Sequence, residues 1–200
     1  MASSLASLVP VTRPQKRFSV QDYHRMMEHG LIASTERLEL IHGLLVEKPA
    51  INPGHAYTVG RLTKKLFTVI GDLVVLRVQV PITLPPDSEP EPDLLLAYGA
   101  ESDYMHRHPG PRDIAVVIEV ADHSLAEDRT VKLALYAAAR IPEYWIVNLV
   151  DRQIEVHTEP RAGKSPIYRR VQTYAGADAV PVRLSRKKVG AVPAAEIFPR

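Results

Sequence analysis

The stretch Ile114-Ala115-Val116-Val117-Ile118-Glu119-Val120-Ala121 is an apolar run interrupted by one acid. Val and Ile at that density read as the centre of a sheet. A carboxylate there must be paired, protonated or bound to a cation, because a bare buried charge costs far more than one strand position contributes. A second acid, Asp93, follows Pro92 and opens another apolar run, Asp93-Leu94-Leu95-Leu96-Ala97. Lys132 follows on a predicted helix. Two acids at the edge of a sheet and a lysine suggest metal-dependent chemistry on a phosphate.

Working outward, Ser19 is suited to cap a helix through Tyr23, Met26 and Met27 that stops at Gly30. Arg37 to Ile41 and Leu44 to Glu47 flank His42-Gly43 and read as a hairpin, with Glu39 in its first strand. A second helix starts near Asn52-Pro53, carries Val59, Leu62, Leu66 and Ile70 on one stripe, and ends at Gly71. Leu73 to Ile82 reads as a strand, Leu84 to Pro92 as a proline-rich extended loop, and Tyr98 to Arg112 as a polar loop long enough to suggest function. Ser124-Leu125-Ala126-Glu127 matches a capping box for a helix to about Arg140. Glu143 to Asn148, Arg152 to Thr158, Pro166 to Tyr174 and Val180 to Leu184 read as strands. The expected fold is α/β, or mixed α+β: a mixed sheet flanked by helices with extra hairpins.

The chain has 200 residues, 46% of them apolar, enough for one domain with a substantial core. No run approaches the ~18 apolar residues of a membrane helix. In the amino-terminal segment the charges Arg13, Lys16 and Arg17 follow the apolar part, the wrong order for a secretory signal. The expectation is a loose arm over residues 1–17, a single nuclease-like domain over 18–200, and a cytoplasmic location. With no cysteine, disulfides, thiolate zinc sites and a cysteine nucleophile are excluded. Net charge is +2 but uneven: residues 161–200 carry nine Lys/Arg against two Asp/Glu. That basic segment would guide a polyanion towards an acidic metal site, or form an ordinary solvated face.

Phosphodiester chemistry gives these residues work. Mg²⁺ prefers hard oxygen ligands and keeps several waters. Asp93 and Glu119 on adjacent strands would fix it, the Val120 carbonyl would add a ligand, and Mn²⁺ would substitute. Lys132 would stabilise charge on the phosphate oxygens or orient the water, and Glu39 would be a further ligand or a general base. Plainer readings compete. Asp93 suits a turn, Glu119 and Lys132 suit a structural ion pair, and the four-residue spacing of Asp128, Lys132 and Tyr136 suits an exposed helix face. His55 is either near the cleft or an ordinary helix-start histidine. His106, His108 and His123 form a weak zinc alternative.

These residues carry a resemblance. From about Phe18 to Val156 the chain resembles the Uma family of restriction endonucleases, within the PD-(D/E)XK nuclease superfamily. The similarity lies in Glu39-Leu40-Ile41-His42-Gly43, His55, Pro92-Asp93, Ile118-Glu119-Val120, Asp128-Arg129-Thr130-Val131-Lys132, Tyr136 and Pro142-Glu143-Tyr144-Trp145-Ile146-Val147. The resemblance implies Asp93 and Glu119 as metal ligands, Glu39 as an additional acid, Lys132 as the catalytic lysine, and His55 near Glu39. The superfamily's lysine usually sits two residues after the second acid, where this chain has Ala121. The ammonium would then come from the helix.

The function expected is a Mg²⁺-dependent endonuclease cutting DNA through a metal-activated water. The alternative is a catalytically inactive nuclease-like domain that binds nucleic acid or a protein partner, and a third reading is a purely structural ionic network. A homodimer would suit cutting of two strands, with Tyr144 to Val147 and Ile154 as an apolar interface.

Overall fold

The computed structural model describes residues 14–33 and 35–199. Six strands make one mixed sheet in the order β3 (Val75–Val78), β4 (Leu94–Ala97), β5 (Ile114–Ala121), β6 (Glu143–Asn148), β7 (Gln153–Arg161) and β8 (Ile167–Ala175). β5 and β6 run parallel, with Glu119 opposite Ile146. The other neighbours are antiparallel. A parallel pair needs a crossover, and the helical segment 125–138 supplies it. It comprises α3 (Leu125–Glu127), a π-turn (Asp128–Lys132) and α4 (Leu133–Ala138).

Strand alternation assigns the faces. Val116, Ile118 and Val120 of β5 meet Leu62, Leu66 and Ile70 of α2 (Pro53–Ile70) on one side. Val180 and Val182 of β9 (Ala179–Leu184) and Val192 of β10 (Lys187–Pro193) pack on that side too. Val117 and Ala121 point the other way, into a core with Leu95, Tyr136, Tyr144 and Ile146 beneath the crossover helix. Glu119 shares the parity of Val117 and Ala121, so it faces the crossover helix. The first helix, α1 (Val20–Glu28), has the Ser19 cap and packs Val20 and Tyr23 on Leu40 of the β1 (Leu38–Ile41) and β2 (Leu44–Glu47) hairpin.

Several expectations need correction. The strand anticipated over 73–82 is only Val75–Val78, because Gln79 turns the chain at φ 49 before Pro81. The capping box at Ser124 does not form; the Ser124 hydroxyl donates instead to Asp128 Oδ2 at 2.6 Å. The long loop after β4 lies at the far end of the β4–β5 pair from Asp93 and Glu119, and buried Tyr104 anchors it. Tyr144 to Val147 and Ile154 are buried within the sheet, so they are not a surface for a second copy. Strand β10 was not anticipated. Its hairpin turns at Ser185 (φ 47) and Arg186 (φ 69), where a type I′ turn usually takes Asn-Gly. Left-handed non-glycine residues cost on the order of 1–3 kcal/mol each. Of the proposed amino-terminal arm, residues 1–13 lie outside the described residues, and Phe18 N already donates to Gly43 O at 2.9 Å.

The His157 ring lies 5.9 Å from Tyr144 and 6.0 Å from Tyr168, centroid to centroid. Burial pushes its pKa below 6.5, and Arg129 adds to this, although the Glu155 carboxylate opposes it. A histidine held neutral in the fold stabilises it above the unfolded value, and that contribution is lost as pH falls through the folded value. Thermal stability should therefore drop below about pH 6.5, with a shallower slope in His157→Gln. Parallel melting-temperature profiles for the two proteins would rule His157 out as the titrating group.

Candidate active site

Glu119 is 4% exposed, and both of its carboxylate oxygens have hydrogen-bond partners. Oε1 accepts from Lys132 Nζ at 3.1 Å and from the Tyr136 hydroxyl at 2.7 Å. Oε2 accepts from the backbone N–H of Asp93 at 3.3 Å. Asp93 sits one residue before β4 and aims its side chain back at β5. Its Oδ2 accepts from Val120 N at 2.9 Å and lies 3.0 Å from His55 Nε2. A strand residue's N–H and C=O point the same way, so the Val120 carbonyl also faces the start of β4.

The remaining members come from distant segments. Glu39 of β1 lies 3.4 Å from Lys132 Nζ through Oε1 and accepts from Glu91 N at 3.0 Å through Oε2. His55 occupies the first turn of α2, fixed where Asn52 Oδ1 accepts from His55 N at 2.9 Å. Asp128 and Lys132 bracket the π-turn, and both are buried. In a regular α-helix a four-residue step overshoots a full turn by about 40°, so positions 128 and 136 would diverge by about 80°. The wider π-turn takes up part of that drift, and Asp128, Lys132 and Tyr136 all face inward. The exposed-face reading of these three residues is therefore overturned.

All the sequence-derived candidates converge: Glu39, His55, Asp93, Glu119, Val120, Asp128 and Lys132 line one cleft, and Tyr136 closes it from below. His123 lines the cleft without His106 or His108, and among the described residues no three His, Asp or Glu side chains are grouped to hold a metal, so the zinc alternative does not assemble. Gln79 escaped notice in the sequence. Its side chain donates to Asp93 Oδ1 at 3.3 Å and its N–H to the Asp93 carbonyl at 3.0 Å. Only its left-handed backbone aims it there, and no pattern in the sequence announces that.

Four buried acids surround one buried lysine. Burial raises the pKa of Glu119 to about 8; Lys132 opposes this, and repulsion from Asp128, Asp93 and Glu39 adds to it. Asp128 is raised to about 6 by burial, against Lys132 and the Ser124 hydrogen bond. Burial works against the Lys132 ammonium too, but Glu119, Glu39 and Asp128 outweigh it and keep it charged. The two partners of the ion pair thus disagree, one favouring its neutral form and the other its charged form. Sharing resolves this: the single ammonium cannot neutralise three carboxylates, so the ammonium persists and a proton is retained among the acids. Asp93 differs. Burial opposes its ionisation, but hydrogen bonds from His55, Val120 and Gln79 and the His55 charge hold its pKa below the usual value.

The donor set suits a hard divalent cation. The cleft is about 80 Å³, room for an ion or a few waters. Its available donors are carboxylate and carbonyl oxygens. Among the described residues, no group of three or more His, Asp or Glu side chains is arranged to hold a metal ion, so Asp93 and Glu119 would leave most of a hard cation's shell to water. His55 Nδ1 is buried without a hydrogen-bond partner among the described residues, one further unmet polar atom in the wall.

A family model described as "Uma2: Putative restriction endonuclease" matches residues 20–187. Among solved structures, a "putative nuclease belonging to DUF820" from Anabaena variabilis ATCC 29413 matches with a TM-score of 0.66 at 11% identity. The match covers 90% of this chain and 97% of that one. Identity that low speaks for the fold alone. No curated protein matches.

Removing the ammonium should leave buried acids without compensation. Lys132→Met should lose about 3–5 kcal/mol in urea unfolding, and adding Glu119→Gln should restore part of the loss. A Lys132→Met protein as stable as the parent would show that the ion pair contributes nothing to the fold.

Proposed function

The chain belongs to the family described as "Uma2: Putative restriction endonuclease", and from that premise we propose that it is a metal-dependent endonuclease hydrolysing phosphodiester bonds of DNA. The observation that carries the reading is the pair of carboxylates from neighbouring strands, Asp93 and Glu119, joined through the Asp93 N–H to Glu119 bond of 3.3 Å. They open onto one cleft in which acids outnumber bases.

In the proposed mechanism Asp93, Glu119 and the Val120 carbonyl would hold Mg²⁺, with Mn²⁺ as substitute. The cation would supply polarisation of the phosphate and an acidified water. The protein's own groups do the rest. His55 and Gln79 hold Asp93 ionised and oriented. Tyr136, whose hydroxyl stays protonated because burial and Glu119 raise its pKa, fixes one Glu119 oxygen. Lys132 presents an ammonium to charge building on phosphate oxygens, and takes the place of a lysine at Ala121. Glu39 is the remaining acid, available as general base or additional ligand. Asp128 anchors the π-turn that carries Lys132. A symmetric pair of copies would suit cutting of both strands, without using β6.

A second reading has its own observation. Lys132 and Tyr136 already occupy one Glu119 oxygen, which would suit a nuclease-like domain that binds nucleic acid and does not cut it. Supercoiled plasmid distinguishes the two. Protein with Mg²⁺ or Mn²⁺ should nick it, and Asp93→Ala or Glu119→Ala should lower the rate at least a hundredfold while remaining folded. Nicking at the parental rate by either variant would sink the mechanism. A parent that binds DNA yet neither nicks it nor takes up millimolar Mg²⁺ in calorimetry would favour the second reading.

A further inference from the structure

The basic carboxy-terminal segment does not border the acidic cleft. It folds into β8, β9 and β10, and its arginines gather on a separate groove. Arg140, Arg161, Arg169, Arg170, Arg183 and Arg186 line a concavity of about 1430 Å³ between the β9–β10 hairpin and strands β6 to β8. Ala115 and Glu143, at the amino ends of β5 and β6, form part of its floor. Glu119 lies four residues further along β5, but a bulge between Ile114 and Val116 puts Ala115 on the α2 face, so Glu119 points to the other one. Among the described residues, none lines both the groove and the cleft.

Charge and shape constrain the occupant. Two acids share the groove with the six arginines. Glu159 pairs with Arg170 at 3.4 Å, and buried Glu143 accepts from Trp145 Nε1 at 2.6 Å. Among the described residues, Arg140, Arg161, Arg169, Arg183 and Arg186 have no ion-pair partner within 4 Å. A groove of this volume exceeds the roughly 300–1000 Å³ of small-molecule sites. It is lined with planar guanidinium forks, which match phosphate oxygens in pairs.

The backbone adds a second, independent observation. Arg140 follows α4 with φ 59, the position at which helices commonly place glycine, and Arg186 occupies the hairpin turn with φ 69. Both sites favour a residue without a side chain, yet each carries an arginine lining the same groove. Glu159 (φ 61) and Ser185 (φ 47) line the groove with the same backbone, so left-handed strain is concentrated along it, as it is at ligand clamps.

We propose that this arginine-lined groove binds the phosphodiester backbone of a nucleic acid, as a site separate from the acidic cleft. Its contacts are electrostatic and independent of sequence. The inference does not depend on whether the cleft cuts, since the groove shares no residue with it.

The strained arginines make a clean test, because Arg140→Gly and Arg186→Gly relieve the backbone rather than damage it. Binding of short labelled single-stranded and duplex DNA and RNA is followed by fluorescence anisotropy in EDTA. The double variant should bind on the order of tenfold more weakly or worse near 0.1 M salt, and its salt slope should fall by roughly 0.7 per arginine on single strands or 0.9 on duplex. Its melting temperature should hold or rise. Arg169→Gln should act in the same direction. A control with Lys16→Gln and Lys64→Gln removes equal charge elsewhere and should bind like the parent. Unchanged affinity and slope in the double variant would overturn the proposal, as would equal weakening by the control. Polyglutamate that competes as well as DNA would assign the groove to acidic protein and overturn it too. A parent that fails to nick plasmid, yet loses binding through these arginines, refutes the nuclease reading alone.

Discussion

One buried ammonium ties this fold together. Lys132 reaches Glu119 of the central strand and Glu39 of the first hairpin, and Asp128 lies on its own helical segment. Remove it and three elements face one another with like charges in a medium that screens them poorly. Glu119 would be an error in a purely apolar strand. With Lys132 and Tyr136 on one oxygen and the Asp93 N–H on the other, both oxygens of its carboxylate have partners and one acceptor position on Oε2 stays open. The acids of the cleft exceed its bases, and the proton retained among them offsets part of that excess.

Much of the architecture was legible because it rests on local rules. The His42-Gly43 turn, the Asn52 cap with Pro53 behind it and the apolar density of β5 and β6 each declare an element within a few residues. The site was legible for a different reason: an acid in an apolar strand is costly enough to demand an explanation. The failures share a cause as well. Gln79 ends β3 early, and Ser185-Arg186 turns the last hairpin, through left-handed backbone at residues that ordinarily avoid it. Nothing in their side-chain chemistry announces this. Ser124 has the spacing of a cap to Glu127, yet its backbone is already helical (φ −79, ψ −4), so its oxygen caps no amide and its hydroxyl donates to Asp128 instead. The π-turn was equally hidden, because helical spacing in sequence does not distinguish one extra residue in a turn.

The sheet separates two kinds of surface. Carboxylates converge where β4 begins and β5 ends, on the face beneath the crossover helix. Arginines line the groove at the opposite strand ends, beneath the β9–β10 hairpin on the other face. A near-neutral net charge of +2 conceals this division. It also explains how the two coexist without neutralising each other: the apolar sheet lies between them, and the intervening distance lets salt screen the rest.

The parallel pairing of β5 with β6 has a consequence for timing. Its crossover carries Lys132, and Glu39 lies ninety-three residues earlier in the chain. Closing a span of that length costs entropy that only later contacts recover. The acids and their lysine therefore meet only after the sheet has closed, so a nascent or partly folded chain holds the constituent residues but no cleft. A chain in which that sheet has not closed therefore carries every residue of the cleft without the cleft itself.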